Sequence, residues 1–202
     1  HRAVEAHDVG EARAPQVDEE AVIAEVEAAE GRRLPAAEHV LLLARRKAED
    51  VARRLHAEQP DFDGFVIGGD SMFALGEEIL GKPYTPEAAT ARWRDMRGRT
   101  GILHSGHSVF RLAPGTEPRE AHAVAEASVT FAADVDEHEI ADYVASGEPL
   151  LVAGAFTVDS LGGAFIERVE GDPSTVVGMS LSTVRRLVRE LGGSWTALWN
   201  RP

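Results

Sequence analysis

The sequence has no cysteine among its 202 residues, and none of its hydrophobic runs is long. The lack of cysteine excludes disulfide bonds, thiolate nucleophiles and cysteine-ligated metal sites. A transmembrane helix needs a run of ~18 or more apolar residues, and no run in this sequence approaches that length. The first ten residues, HRAVEAHDVG, contain no hydrophobic region of the kind found in signal peptides. We therefore expect a cytoplasmic protein that makes no membrane contact.

Basic residues are also few. Lysine and arginine number 21 against 34 aspartates and glutamates, which gives a formal net charge of −13 at pH 7. A nucleic-acid polymer binds to a basic surface, so we expect no such partner. A free nucleotide needs only a few well-placed cations and is compatible with this charge. Hydrophobic residues at 44% and charged residues at 27% are typical of a globular domain with a sizeable core.

The segment 65–83, FVIGGDSMFALGEEILGKP, combines short apolar runs with one acid and one lysine beside glycines. Its first run predicts a buried strand that ends at Asp70, and the runs 72–75 and 77–80 predict a hairpin that leads to Lys82. A carboxylate for metal or water and an ammonium for phosphate are the minimum needed for phosphate-ester hydrolysis. The alternative is that Asp70 only begins a turn and Lys82 is a solvated surface charge.

Several segments before this one have simpler interpretations. Residues 2–7 predict the end of a helix, and residues 11–17 predict a short strand. Asp18 predicts the N-cap of a helix that runs through Val26. Glu19 then belongs to the first turn of that helix, or alternatively faces a ligand or a metal.

The clearest helix covers residues 36–56. Lys47 lies four residues from both Leu43 and Val51 and therefore on the apolar stripe of this helix. A lysine in such a position usually extends its ammonium group to water, but it can also point into a site beneath the helix. The stripe consists of Val40, Leu43, Ala44, Val51 and Leu55.

Strands and helices alternate through the rest of the chain, which predicts one α/β domain. His104 and His107 lie three residues apart on one predicted strand, so they face opposite sides and cannot ligate one ion together. The predicted elements are a helix begun by Thr85 and Pro86, strands at 102–112 and 121–131, a helix begun by the capping box of Asp136 and Glu139, two short strands within the glycine-rich segment 153–178, and a final amphipathic helix at 181–191.

Taken together, eight stretches resemble the Maf family of nucleoside triphosphate pyrophosphatases. They follow one another in the order of the family, from about residue 17 to residue 191. The matching stretches are VDEE (17–20), LARRKAEDVA (43–52), VIGGDSM (66–72), GEEILGKP (76–83), MRGRTG (96–101), YVASGEPLLVAGAF (143–156), LGGAFIERVEGD (161–172) and VVGMSL (176–181).

The resemblance implies a fold and an activity. The implied fold is a single α/β domain over residues 1–202, with an elongated mixed sheet flanked by helices and two lobes around a cleft, as in inosine-triphosphate pyrophosphatases. The implied reaction is hydrolysis of a nucleoside triphosphate to its monophosphate and pyrophosphate with Mg²⁺ or Mn²⁺. A homodimer is compatible with the resemblance.

The resemblance also implies roles for particular residues. Asp70 corresponds to the general base or the acid linked to the metal, and Glu19 to a residue beside the metal. Lys47 and Lys82 correspond to residues that hold phosphates. Arg99 corresponds to a further arginine of the substrate site.

Two departures from the family pattern concern substrate binding. The family opens with a strand and a Ser-x-Ser-Pro-Arg-Arg loop that grips the triphosphate, and this sequence contains no such loop. Ser71 stands where the family has threonine, and TVDS at 157–160 stands where it has Gly-Ile-Gln-Gly, so Asp159 replaces an amide. Both positions are linked to base choice in the family.

Two other functions remain as alternatives. One is a nucleotide-binding regulator of cell division that has no turnover, and the other is a hydrolase that releases orthophosphate from a phosphomonoester or sugar nucleotide.

Overall fold

A central antiparallel sheet with helices packed on both faces forms the fold in the computed structural model, which describes residues 11–199. The predicted helix end at 2–7 lies outside the described residues. The helices and strands are α1 (Glu19–Glu30), α2 (Ala36–Glu58), β1 (Gly64–Leu75), β2 (Glu78–Leu80), α3 (Pro86–Met96), β3 (Thr100–Leu112), β4 (Arg119–Phe131), α4 (Glu137–Ala145), β5 (Ile166–Gly171), α5 (Pro173–Val177) and α6 (Leu181–Glu190), with short 3-10 helices at Glu148–Leu151, Ala153–Ala155, Leu161–Phe165 and Trp195–Leu198.

The five strands are arranged in the order β2-β1-β3-β4-β5. Strand β1 pairs with β3 from Gly64 opposite Leu112 to Ala74 opposite Ile102, whereas β2 pairs only with the last three residues of β1. The predicted α/β class with a helix-flanked sheet is confirmed. The pairings described are antiparallel rather than mixed.

Strand β1 is one continuous strand of 12 residues. The prediction that the strand ends at Asp70 is therefore wrong, because two adjacent glycines do not interrupt the ladder with β3. Asp70 lies in the middle of the strand, opposite Gly106. The predicted hairpin is confirmed, with Gly76 in its turn at a φ of 67°.

Side-chain caps start several helices where the sequence predicts them. Asp18 accepts a hydrogen bond from the Ala21 N–H at 3.0 Å, and Thr85 caps α3 with proline at the first position. Asp136 and Glu139 form the predicted capping box of α4. These caps satisfy N–H groups that have no partner within their own helix.

Two predicted strand assignments are wrong. Residues 11–17 form no strand, because their backbone bonds to side chains of α2: the Gln16 N–H donates to Asp50, and Arg54 donates to the Ala14 carbonyl. The segment 153–178 contains one strand, β5, rather than two. Its first part turns too tightly for a strand, since Gly154 has a φ of 74°.

The hydrophobic core is divided between the two ends of the sheet. At the end where β1 finishes, α3 and α4 enclose an aromatic cluster in which Trp93 lies edge-on to Phe131 at a ring distance of 5.4 Å. At the other end, α2 packs over Val66 and Leu112, and α6 packs on the opposite face against Val109. The polar middle of β1 therefore lies between two separately packed regions, in agreement with the expected lobes. None of the helices in residues 11–199 is both long and apolar enough to cross a membrane.

Candidate functional site

One lysine and two carboxylates meet in the middle of the sheet. The Lys47 Nζ lies 2.7 Å from the Asp70 Oδ1 and 2.8 Å from the Glu19 Oε1. The side chains of Lys47 and Asp70 are only 17% and 14% exposed, whereas that of Glu19 is 51% exposed. Lys47 therefore points into a site beneath its helix, and the structure brings three of the predicted site residues together.

Close packing of α2 on the sheet places Lys47 over Asp70. A Cβ atom on Gly68 would lie 2.7 Å from the Ala44 carbonyl oxygen, so the absence of a side chain lets the helix approach. Gly106 lies directly opposite Asp70 in the strand register, and a Cβ atom on it would likewise overlap the backbone of Val40. Glycines of the sheet thus set the height of the lysine above the carboxylate.

Burial and charge shift the pKa values of both Lys47 and Asp70. Burial raises the pKa of the Asp70 carboxyl above its usual range, and the hydrogen bond and charge of Lys47 offset only part of this effect. Burial alone would lower the pKa of Lys47, but the hydrogen bonds to Asp70 and Glu19 outweigh it and raise that pKa. The pair therefore contains a charged lysine beside a carboxyl group that is easier to protonate than an ordinary aspartate.

The carboxylates of Glu19 and Asp70 are oxygen donors of the type that Mg²⁺ prefers. No cluster of three or more potential ligands from His, Asp or Glu occurs in residues 11–199. Mg²⁺ is commonly bound by one or two carboxylates together with substrate phosphates, so this pair fits such an ion. Both carboxylates also pair with the ammonium of Lys47.

Lys82 lies on the connection between β2 and α3, and its backbone is fixed while its side chain is exposed. The neighbouring Gly81 carbonyl accepts hydrogen bonds from Arg92 and from the Gly154 N–H. Within the part of the chain that the structure describes, Lys82 itself has neither an ion pair nor a hydrogen bond from its ammonium group. Its charge is available to a phosphate.

The structure does not bring Ser71, Arg99 or Asp159 into contact with the Lys47–Asp70 pair. Ser71 follows Asp70 on the same strand and therefore faces the other side of the sheet, where its Oγ lies 2.5 Å from the Ser105 Oγ. The Arg99 guanidinium pairs with Asp95 at 2.6 Å. Asp159 is exposed in the bend between two 3-10 helices.

Glu148, which the sequence analysis did not single out, holds the loop that carries Asp159 in place. The limited burial of the Glu148 carboxylate opposes ionisation, but the hydrogen bonds that it accepts lower the pKa of Glu148 to about 2. The only signal in the sequence is its place within the stretch 143–156. The five donors are the Tyr143 hydroxyl (2.9 Å), the Thr157 hydroxyl (2.5 Å), the Ser160 hydroxyl (2.7 Å), the Leu161 N–H (3.2 Å) and the Gly162 N–H (3.0 Å).

A second missed carboxylate, Asp172, fastens the turn between β5 and α6. It accepts hydrogen bonds from the hydroxyl groups of Ser174, Ser180 and Ser182, and these bonds lower its pKa. The same turn supplies the Ser180 N–H that donates to the buried His107 Nε2 at 2.9 Å. His107 therefore has a structural role.

A groove of about 340 Å³ lies between α1 and α2, away from the pair. Its lining contains neither Asp70 nor Lys47 nor Lys82. The lining residues are Gln16, Val17, Asp18, Ala21, Val22, Glu25, Arg46, Glu49, Asp50 and Arg53.

Comparison with known proteins identifies the family. The family described as "Maf-like protein" matches residues 4–191. A protein of Leifsonia xyli subsp. xyli named "Nucleoside triphosphate pyrophosphatase" is 58% identical over 186 residues, which cover 92% of this chain and 85% of that protein. Proteins with the same name from Salinispora tropica and Streptomyces avermitilis are 53% and 51% identical over 80% and 81% of this chain, and 69% and 75% of their own lengths. The chain belongs to the Maf-like protein family.

Proposed function

We propose that this protein hydrolyses nucleoside triphosphates to nucleoside monophosphates and pyrophosphate. The observation that carries the proposal is the partly buried Asp70 carboxylate held 2.7 Å from the Lys47 ammonium. The names of the similar proteins support the same reaction.

Asp70 acts as the general base. A water oxygen attacks the α-phosphorus, its proton passes to the Asp70 carboxylate, and the bond to the bridging oxygen of the β-phosphate breaks to release pyrophosphate. A raised pKa suits this role, because a base works best when its pKa approaches the working pH. Lys47 orients the carboxylate through its hydrogen bond.

Cationic side chains bind the negative oxygens of the substrate. Lys82 contacts a phosphate directly, since its backbone is fixed and its ammonium is exposed. Lys47 adds a second positive charge from beneath α2. Arg99 reaches the substrate only after it leaves Asp95, so its contribution is smaller.

Mg²⁺ or Mn²⁺ is the proposed cofactor, and Glu19 and Asp70 would hold it together with phosphate oxygens of the substrate. When bound, such an ion neutralises phosphate charge and lowers the pKa of its water. Glu19 is half exposed at the N-terminal turn of α1, so its side chain can turn from Lys47 towards an ion without disturbing the core.

Asp159 contributes to base choice. An ionised carboxylate only accepts hydrogen bonds, whereas the amide it replaces both donates and accepts. We therefore expect preference for a base edge that offers hydrogen-bond donors, such as the N1–H and amine of guanine.

Asp159→Gln should move the substrate preference towards pyrimidines, and an unchanged substrate ranking would show that Asp159 does not line the base pocket. Ser71 has a smaller effect, because its hydroxyl is engaged with Ser105.

The test is a product assay on a panel of nucleoside triphosphates. We expect pyrophosphate and nucleoside monophosphate, and we expect loss of activity when the divalent metal is chelated. Orthophosphate as the first product would contradict the proposal and favour a phosphomonoesterase. Tight nucleotide binding without turnover would also contradict it and favour a regulator of cell division. A homodimer and a cytoplasmic location stay predictions, and sedimentation tests the first.

A further inference from the structure

Tyr84 has an unusual backbone conformation. Its φ is 63°, in the left-handed region that residues other than glycine rarely adopt. Among residues 11–199, Ala155 is the one other non-glycine residue with positive φ. The Tyr84 N–H donates to the Leu150 carbonyl at 3.0 Å, and the following Thr85 N–H donates to the Pro83 carbonyl at 2.8 Å. Hydrogen bonds on both sides therefore hold the strained conformation in place.

Packing of the side chain does not explain this strain. The Tyr84 residue is 67% exposed, and it belongs to none of the hydrophobic clusters of the core. Leu151, next to the residue that accepts its hydrogen bond, is similarly exposed at 66%. Strain without a gain in burial is typical of residues that serve binding rather than folding.

The position of Tyr84 connects it to the substrate site. It lies two residues after Lys82, and two residues of extended chain span at most about 7 Å. The Gly81 carbonyl and the Tyr84 N–H both bond to the segment 150–154, which leads directly to the bend at Asp159. The cation proposed to bind phosphate and an exposed aromatic ring thus lie on one short connection, which is hydrogen-bonded to the segment that leads to the residue proposed to read the base.

We propose that the Tyr84 ring is the platform on which the base of the nucleoside triphosphate stacks. This inference rests on the proposed function and assigns the base a contact that phosphate binding does not supply. Stacking on an aromatic ring tolerates every base because each base has a π face, so Tyr84 provides affinity while Asp159 provides selection. A stacked base gains about 5- to 150-fold in affinity, which corresponds to about 1–3 kcal/mol.

Titration calorimetry with a non-hydrolysable α,β-methylene nucleoside triphosphate tests the inference without requiring turnover. Tyr84→Gly should weaken binding by about 5- to 150-fold, whereas Tyr84→Phe keeps the ring and should stay within about 2-fold. Inorganic tripolyphosphate has no base, and its affinity should be the same for all three proteins. Tyr84→Gly should also raise the melting temperature, because glycine adopts a positive φ without strain.

A Tyr84→Gly protein that binds the analogue as tightly as the unmutated protein would overturn the inference. An equal loss of tripolyphosphate affinity would also overturn it, because the effect would then lie in phosphate binding through Lys82. Pyrophosphate release by the unmutated protein tests the proposed function separately. If Tyr84→Gly weakens binding of the analogue but the unmutated protein releases no pyrophosphate, this inference holds and the proposed function is wrong.

Discussion

Replacing Lys47 by methionine removes a charge from beside Asp70 while nearly preserving side-chain volume. Two unit charges about 4 Å apart interact by about 4 kcal/mol at an effective dielectric constant of about 20. Residual exposure of the two side chains, at 17% and 14%, and the desolvation of Lys47 reduce the net effect. An opposite charge at this distance lowers a carboxyl pKa by about 1–3 pH units in proteins generally. Because Lys47 lowers the pKa of Asp70 in this way, that pKa should rise in Lys47→Met.

The assay is the pH dependence of kcat/KM for pyrophosphate release, which reports ionisations of the free enzyme. Because the base must be deprotonated, the acid limb of the profile should move to higher pH in Lys47→Met. Arg46→Met is the matched control, since Arg46 is the adjacent residue on α2 and pairs with the exposed Glu49 instead. Its acid limb should stay in place. An unmoved acid limb in Lys47→Met would refute the coupling between Lys47 and the catalytic base.

Three further predictions concern the surroundings of the site. Gly68→Ala places a Cβ atom 2.7 Å from the Ala44 carbonyl oxygen, so α2 must move away from the sheet. We expect urea unfolding to show a loss of about 1–3 kcal/mol in stability, together with a lower kcat/KM. No change in either quantity would contradict the close packing. The ionised Glu148 carboxylate stabilises the fold fully above its unfolded pKa of 4.5, and this stabilisation is lost as the pH falls towards about 2. In Glu148→Gln, the urea midpoint should therefore decline less steeply between these two pH values. An unchanged pH slope would argue against this role of Glu148. Asp136→Ala removes the capping box of α4 and should lower the melting temperature without affecting kcat/KM; a loss of activity would place α4 closer to the chemistry than the structure does.

The parts of the fold that follow local rules could be predicted from the sequence. Helix α2 has a clear apolar stripe, and α4 has a capping box whose two members lie three residues apart. The predicted strands at 102–112 and 121–131 match β3 and β4 to within two residues. Each of these signals lies within one element and does not depend on distant contacts.

The arrangement of the site depends on contacts that no local pattern contains. Lys47 and Asp70 are 23 residues apart, and the close packing of α2 on Gly68 and Gly106 brings them together. Because β1 continues past Asp70 instead of ending there, its side chains keep alternating, and Ser71 lies on the opposite face of the sheet from Asp70. Glu148 was missed because its donors lie in a loop whose shape follows from tight turns rather than from a periodic pattern.

The proposed reaction depends above all on activation of the attacking water by the Asp70 carboxylate. Asp70→Asn keeps the shape of the side chain and removes its negative charge, so the measurement is the kcat for pyrophosphate release by this variant beside the unmutated protein, with circular dichroism confirming that both are folded. We expect kcat to fall by roughly 10²-fold or more, because an amide accepts no proton from water. A folded Asp70→Asn protein that releases pyrophosphate at the unmutated rate would contradict this role of Asp70.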